Sequence, residues 1–270
     1  MEFHKLVDIQ QHPKLSYFLE HFLTMQFADL RCLLRLPEGG LNAGCNYATA
    51  SVLFNIIGGL SVCLYNASFD DFASSRPTGR GQRFKNLLHT YYPWQHEPVQ
   101  EETAVAILYD SLRNPLAHCL GLYKPRDKYG SRIVKTHMDI GQIASLENNR
   151  TRPNWLPPTI TISPSAYHYD VNVNTLYWGV NRLIELLLRD EQQVEKAETF
   201  LLQLYTEYEI KSLRKNLEHL RAMQEDSVQY ADIADAMKQR LSELLQLENQ
   251  LTQAQNDNLL QLQQGYKMIT

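Results

Sequence analysis

The run Arg113-Asn114-Pro115-Leu116-Ala117-His118 concentrates more chemistry than any other stretch of this 270-residue chain. Arginine carries a planar donor fork that matches two oxygens of a phosphate. Histidine takes or gives a proton near neutral pH. Their spacing decides whether they can act together. Five positions along an unbroken α-helix turn the second side chain to about 140° from the first, so on such a helix Arg113 and His118 cannot face one ligand. Pro115 alters that geometry. A proline has no amide hydrogen and crowds the preceding turn, and the residue before it avoids helical backbone angles. Asparagine is a favoured N-cap and proline a favoured first helical residue. The spacing therefore predicts a kink, with Asn114 capping a fresh helix that carries His118 on its second turn.

A fresh helix N-terminus offers free amides and a partial positive charge to an anion. With Arg113 beside it and His118 able to move a proton, the parts suffice for phosphodiester cleavage without a metal. RNA brings its own nucleophile, the ribose 2′-hydroxyl, so no protein nucleophile is required. The same residues also fit a plain kink with a surface arginine and a hydrogen-bonded core histidine. Spacing alone does not separate the two.

RNPLAH resembles the Arg-polar-spacer-His signature of HEPN domains, with Arg113, Asn114 and His118 on the signature positions. The lead-in Ala106-Ile107-Leu108-Tyr109-Asp110, the upstream RFKNLLHTYYPW and the apolar helix over residues 44 to 66 resemble the family's surrounding helices. The resemblance spans residues 10 to 189, and the motif is its specific part. It implies a helical bundle that forms a homodimer and, in many members, a metal-independent endoribonuclease of toxin–antitoxin, CRISPR or antiviral systems. By that analogy Arg113 binds the scissile phosphate, Asn114 orients it and His118 is the general acid/base, with no cofactor. RNA is the implied partner, with an antitoxin-like or defence-system protein as a second. Inactive relatives serve as binding or dimerisation modules, so a non-catalytic interaction role is the alternative. Leu120 stands where some toxins of the family have a tyrosine, and regulation through such a residue is not expected.

The elements that must position this motif follow from pattern. Pro13 opens a helix whose stripe of Leu15, Phe18, Leu19, Phe22, Leu30, Leu33 and Leu34 ends near Leu36. A second helix from Gly44 to Asn66 is apolar on most sides, which predicts a place in the middle of a bundle, with Gly58-Gly59 permitting close helix contact. It is nearly long enough to span a bilayer, yet Thr49, Ser51, Asn55 and Ser61 argue for burial in protein. A short helix over Gln82 to His89 precedes the motif helix, Glu101 to Tyr123, which buries Ala104, Val105, Leu108 and Leu112. Residues 124 to 173 read as an irregular β insertion, with short strands at Ser131–His137 and Thr159–Ile162. Helix resumes near Asn174. From Asp190 onward, broken heptads (Leu213, Leu217, Leu220, then Met237, Leu241, Leu244, Leu251) predict a long helix or helical hairpin that serves assembly. The fold class expected is therefore mainly α: a HEPN-like bundle over 1–189 and a helical, coiled-coil extension over 190–270.

Composition sets limits on partners. A hydrophobic share of 44% and a charged share of 21% exclude wholesale disorder. The net charge of −4 excludes coating nucleic acid by bulk electrostatics. Residues 190 to 270 hold 8 Lys/Arg against 14 Asp/Glu, whereas Arg76 to Lys135 hold 10 against 5, so positive charge gathers around the motif. Arg80, Arg83 and Lys85 are candidates to guide an RNA strand, with Tyr91, Tyr92 and Trp94 available for base stacking or for core packing. His89, His96 and His137 lack ligand spacing. Cys32, Cys45, Cys63 and Cys119 read as buried free thiols of a reducing compartment, and no zinc site is expected. MEFHKLVDIQQHPK has no apolar signal core, which points to a cytoplasmic protein without membrane attachment.

Overall fold

A computed structural model describes residues 2–37, 45–73, 79–114, 116, 130–163, 168–222 and 228–267. Pro115, Ala117, His118, Cys119, Leu120 and the C-terminal end of the expected motif helix lie outside the described residues. Contacts divide the chain into two units, Met1–Glu198 and Thr199–Thr270.

In the first unit, α1 (Pro13–Phe18) runs through a π-helical segment, Leu19–Leu23, into α2 (Thr24–Arg35). Proline occupies the first helical position of α1, where a missing amide costs nothing. The next two amides, of Lys14 and Leu15, donate to the Glu198 carboxylate at 3.1 and 2.7 Å, so a residue at the far end of the unit caps this helix. At the other end of the rod, Lys135 has no exposed surface. Its ammonium donates to the carbonyls of Leu33 (3.1 Å), Leu34 (3.5 Å) and Leu36 (2.5 Å). A cation placed on the last carbonyls of a helix satisfies them and complements the negative end of its dipole.

α3 (Asn46–Cys63) packs against α2 and later elements, burying Leu53, Phe54, Ile56, Ile57 and Leu60. It is not the centre of the bundle. Tyr47, Ala48, Asn55 and Gly59 are exposed, and a Cβ at Gly58 or Gly59 meets nothing within 4 Å. The two glycines therefore face open space rather than a neighbouring helix. Among the described residues α3 is the one helix long and apolar enough to cross a membrane, with 44% of that window buried inside the protein. The central helix is α8 (Val173–Leu187), on which every residue except Leu186 is buried. Several of its polar side chains do not spoil that position because they have partners. Asn174 exchanges hydrogen bonds with both backbone groups of Thr136 (2.7 and 2.8 Å), Thr175 donates to the Pro157 carbonyl at 2.8 Å, and Asn181 donates to the Tyr177 carbonyl at 2.8 Å. Satisfied polar groups are tolerated in a core, and unsatisfied ones are costly.

Between α2 and α8 come α4 (Phe69–Ala73), α5 (Arg80–Tyr91), α6 (Glu101–Ala106) with a second π segment, Ile107–Arg113, then β1 (Gly130–Val134), α7 (Ile140–Asn148), β2 (Ile160–Ser163) and β3 (His168–Asn172). The insertion expected over 124–173 thus carries a three-stranded sheet in the order β1-β3-β2. β1 pairs with β3 in parallel, Ile133 opposite Val171, and β2 pairs antiparallel, Ile160 opposite the same Val171. These three side chains are buried. α7 makes the crossover that a parallel pair requires, and it starts with a capping box in which Asp139 and Gln142 serve each other's backbone amides at 2.7 and 3.0 Å.

The second unit takes up the C-terminal part of α9 (Glu191–Ala222) and α10 (Val228–Lys267). The two helices meet where Arg240 pairs with Glu209 at 2.9 Å, and Leu217 and Leu244 of the expected heptads are buried.

Candidate functional site

The π segment Ile107–Arg113 is flanked by α5 and by β1. Ile107, Leu108 and Leu112 are buried, which holds the segment to the core and leaves Tyr109 and Arg113 half-exposed and Asp110 exposed. α5 approaches closely because Gly81 has no side chain: a Cβ there would collide with the Tyr109 hydroxyl. The Tyr109 ring lies 5.2 Å from that of Phe84 on α5. Two cations use this ring. Lys85 Nζ lies 4.9 Å from its centroid and the Arg113 guanidinium carbon 5.6 Å, both within the range of cation–π attraction. Lys85 also donates to Asp110 at 2.8 Å. Arg113 donates through Nη1 to Asn114 Oδ1 at 3.0 Å.

Asn114 corrects one expectation. Its backbone angles are φ −65° and ψ −48°, right-handed helical rather than the extended conformation of an N-cap. Leu116 is helical as well. Upstream of Asn114, residues 107–113 have the i→i+5 bonding of a π-helix. A π turn absorbs an extra residue and re-aims the side chains that follow it, so Arg113 is displaced around the helix relative to an ordinary α-helical count. Asn114 is therefore not the N-cap of a fresh helix.

The structure places the other candidates as follows. Arg83 forms an ion pair with Asp71 of α4, whereas Lys85 pairs with Asp110. Two helical positions are about 200° apart, so the trio Arg80, Arg83 and Lys85 is not one stripe, and Lys85 alone joins the motif. Arg80 is exposed at the start of α5. Tyr92 is buried and its hydroxyl shares a hydrogen bond with Thr159 at 2.6 Å; no base can stack on it. Tyr91 donates to Asp190 at 2.6 Å and the Trp94 indole to the Leu88 carbonyl at 2.8 Å, so these aromatics serve packing. His89 pairs with Glu101 at 2.6 Å, joining α5 to the start of α6. His137 is exposed. Among the described residues, no three His, Cys, Asp or Glu side chains gather as a metal would require.

Sequence reasoning missed Tyr109 as part of the site. Its signal was present: Tyr109 precedes Arg113 by one helical turn, the spacing at which side chains stack. Among the described residues no carboxylate pairs with Arg113, whereas Arg83 and Lys85 are both neutralised. The half-buried Arg113 guanidinium is thus oriented by an amide oxygen and a ring face, with a planar donor fork of the kind that matches an oxyanion.

Fold and site together define a mainly helical protein with a small mixed sheet and a π-helical segment that ends in Arg113. Comparison with family models, curated proteins and solved structures finds no match for the chain.

Proposed function

We propose that this protein is a HEPN-like endoribonuclease that works without a metal, as a homodimer, within a toxin–antitoxin or antiviral defence system of the cytoplasm. The observation that carries the proposal is the Arg113 guanidinium, held by Asn114 and Tyr109 beside Lys85 and without a carboxylate partner among the described residues. In the proposed reaction Arg113 binds the scissile phosphate and Asn114 orients it. The ribose 2′-oxygen attacks phosphorus and its proton passes to one His118. The bond to the 5′-oxygen breaks, and that oxygen takes a proton from the His118 of the second protomer. Products are a 2′,3′-cyclic phosphate and a 5′-hydroxyl.

The test is RNA cleavage in EDTA by the wild type, Arg113→Ala and His118→Ala. Wild-type activity should survive the chelator, and loss of proton transfer should cost about 10²- to 10⁴-fold. A 2′-deoxy nucleotide at the cleaved position should block the reaction. Equal activity in all three proteins would remove the site assignment, and loss of all activity in EDTA would remove the metal-free route. The helical backbone of Asn114, which is not that of an N-cap, favours a second reading, a non-catalytic HEPN-like interaction module. That reading expects RNA or protein binding dependent on Arg113 and no turnover.

A further inference from the structure

A cavity of about 370 Å³ opens elsewhere on the first unit, within the size range of small-molecule sites. Its lining includes Arg150, Arg152, Arg182 and Arg189, with Glu185 between them and Trp178 as an apolar wall. Three elements supply these groups: the segment after α7, the body of α8 and the turn that ends it.

The charge balance is the informative feature. The Glu185 carboxylate is shared by three guanidinium groups. It pairs with Arg182 one turn before it on α8, with Arg189 one turn after it, and with Arg150 at 3.5 Å. Arg152 pairs separately with Glu97 at 3.2 Å. Four arginines thus meet two carboxylates, and an excess of two positive charges remains in a partly enclosed space. Arg182 is the costly member. Its side chain is only 6% exposed, its Nε has no hydrogen-bond partner, and its Nη2 reaches the Glu147 carbonyl at a long 3.4 Å. Burial and the neighbouring Arg150 and Arg189 hold its guanidinium below the usual arginine range, even with Glu185 opposing them. A buried, incompletely paired cation costs stability that plain packing would not. Scaffolding accounts poorly for it, and an anionic ligand accounts for it well.

We infer that this cavity binds a phosphate dianion, free or as the monoester of a small organic molecule, through Arg150, Arg182 and Arg189. A phosphomonoester carries about 1.5 to 2 negative charges at pH 7 and three acceptor oxygens, which match the excess charge and the donor forks. A phosphodiester brings one charge and leaves the other unmatched. Trp178 and Pro93 give the organic part of an ester an apolar surface, with the indole nitrogen of Trp178 already engaged by the Asn149 carbonyl at 2.9 Å. The inference is independent of the Arg113 site.

Calorimetric titration of the full chain, at constant ionic strength in chloride buffer, tests it with inorganic phosphate, adenosine monophosphate and dimethyl phosphate as probes. One phosphate or monophosphate should bind per chain, tighter at pH 7.5 than at pH 5.5, and dimethyl phosphate should bind at least tenfold more weakly. The ratio of the first two affinities identifies the source of the dianion. Arg182→Gln leaves Glu185 exposed to misfolding, so the decisive variant is Arg150→Gln with Arg189→Gln, two side chains 73% and 49% exposed. It should fold as the wild type does and lose at least tenfold in affinity. No saturable binding by either dianion, equal binding of dimethyl phosphate, or wild-type affinity in the double variant would each overturn the inference.

Discussion

Lys135 and Arg113 are both cations, and their partners separate their roles. Lys135 is fully enclosed and donates to three carbonyls at the end of α2, so its charge is spent on finishing a helix. Arg113 is half-exposed and, among the described residues, donates to one amide oxygen, which suits a side chain kept for a ligand. The thiols divide in the same way. The sequence reading expects four buried thiols, but Cys32 is exposed and Cys45 and Cys63 are half-buried. Apolar surroundings stabilise the neutral thiol, and burial pushes Cys63 up to about 11. The thiolate is the reactive form. At pH 8 only about one Cys63 in a thousand is ionised, and the fraction rises tenfold per pH unit up to that value. Iodoacetamide labelling read by peptide mass mapping should modify Cys32 within minutes at pH 8 and leave Cys63 intact until the pH approaches 10. Labelling of Cys63 as fast as Cys32 at pH 8, in folded protein, would contradict this account.

Glycines show how far an element can be read from its composition. Gly58-Gly59 in α3 suggests close helix contact, yet a Cβ at either position meets open space. Gly179 in α8 is where the contact exists: a Cβ there would collide with the Tyr92 ring, which is fixed by its hydrogen bond to Thr159. Opposite outcomes follow. Gly59→Ala relieves the entropic cost of an exposed helical glycine and should stabilise by about 0.5–1 kcal/mol. Gly179→Ala overpacks a core that cannot give way and should destabilise by about 1–3 kcal/mol. Urea unfolding of both variants decides, and a destabilised Gly59→Ala would restore the contact inferred from sequence. Other elements were more or less legible for similar physical reasons. The helices and the strands near residues 131 and 160 show in hydrophobic period and β-branched runs. β3 was missed although Tyr167, Tyr169, Val171 and Val173 alternate strictly, because flanking prolines suggested an irregular stretch. α7 was missed although Asp139 and Gln142 have capping-box spacing. The π segments had no sequence signal, since an i→i+5 turn uses the same residue types as an α-helix, and that turn rather than an N-cap aims Arg113.

At the scale of the whole molecule, the change in composition at Asp190 and the change in contacts at Glu198 fall at different places. Composition registers the acidic, glutamine-rich tail, whereas contacts register what the first turns of α9 do. Asp190 accepts from Tyr91 at 2.6 Å, Gln193 accepts from the Asn66 amide at 2.6 Å, and Lys196 donates to Asn66 Oδ1 at 3.0 Å. Glu198 caps α1. None of these long-range bonds has a local pattern, so a boundary drawn from residue types alone cuts through them. Two fragments separate the alternatives. Residues 1–198 keep every one of these partners and should unfold in one cooperative transition. Residues 1–189 lose a helix cap worth about 1 kcal/mol and several hydrogen bonds at about 1 kcal/mol each. That fragment should be less stable by at least about 2 kcal/mol in urea, with earlier loss of α1 amide protection in hydrogen exchange. Equal stability of the two fragments would mean that the start of α9 belongs with the tail, and that Glu198 caps α1 without holding it.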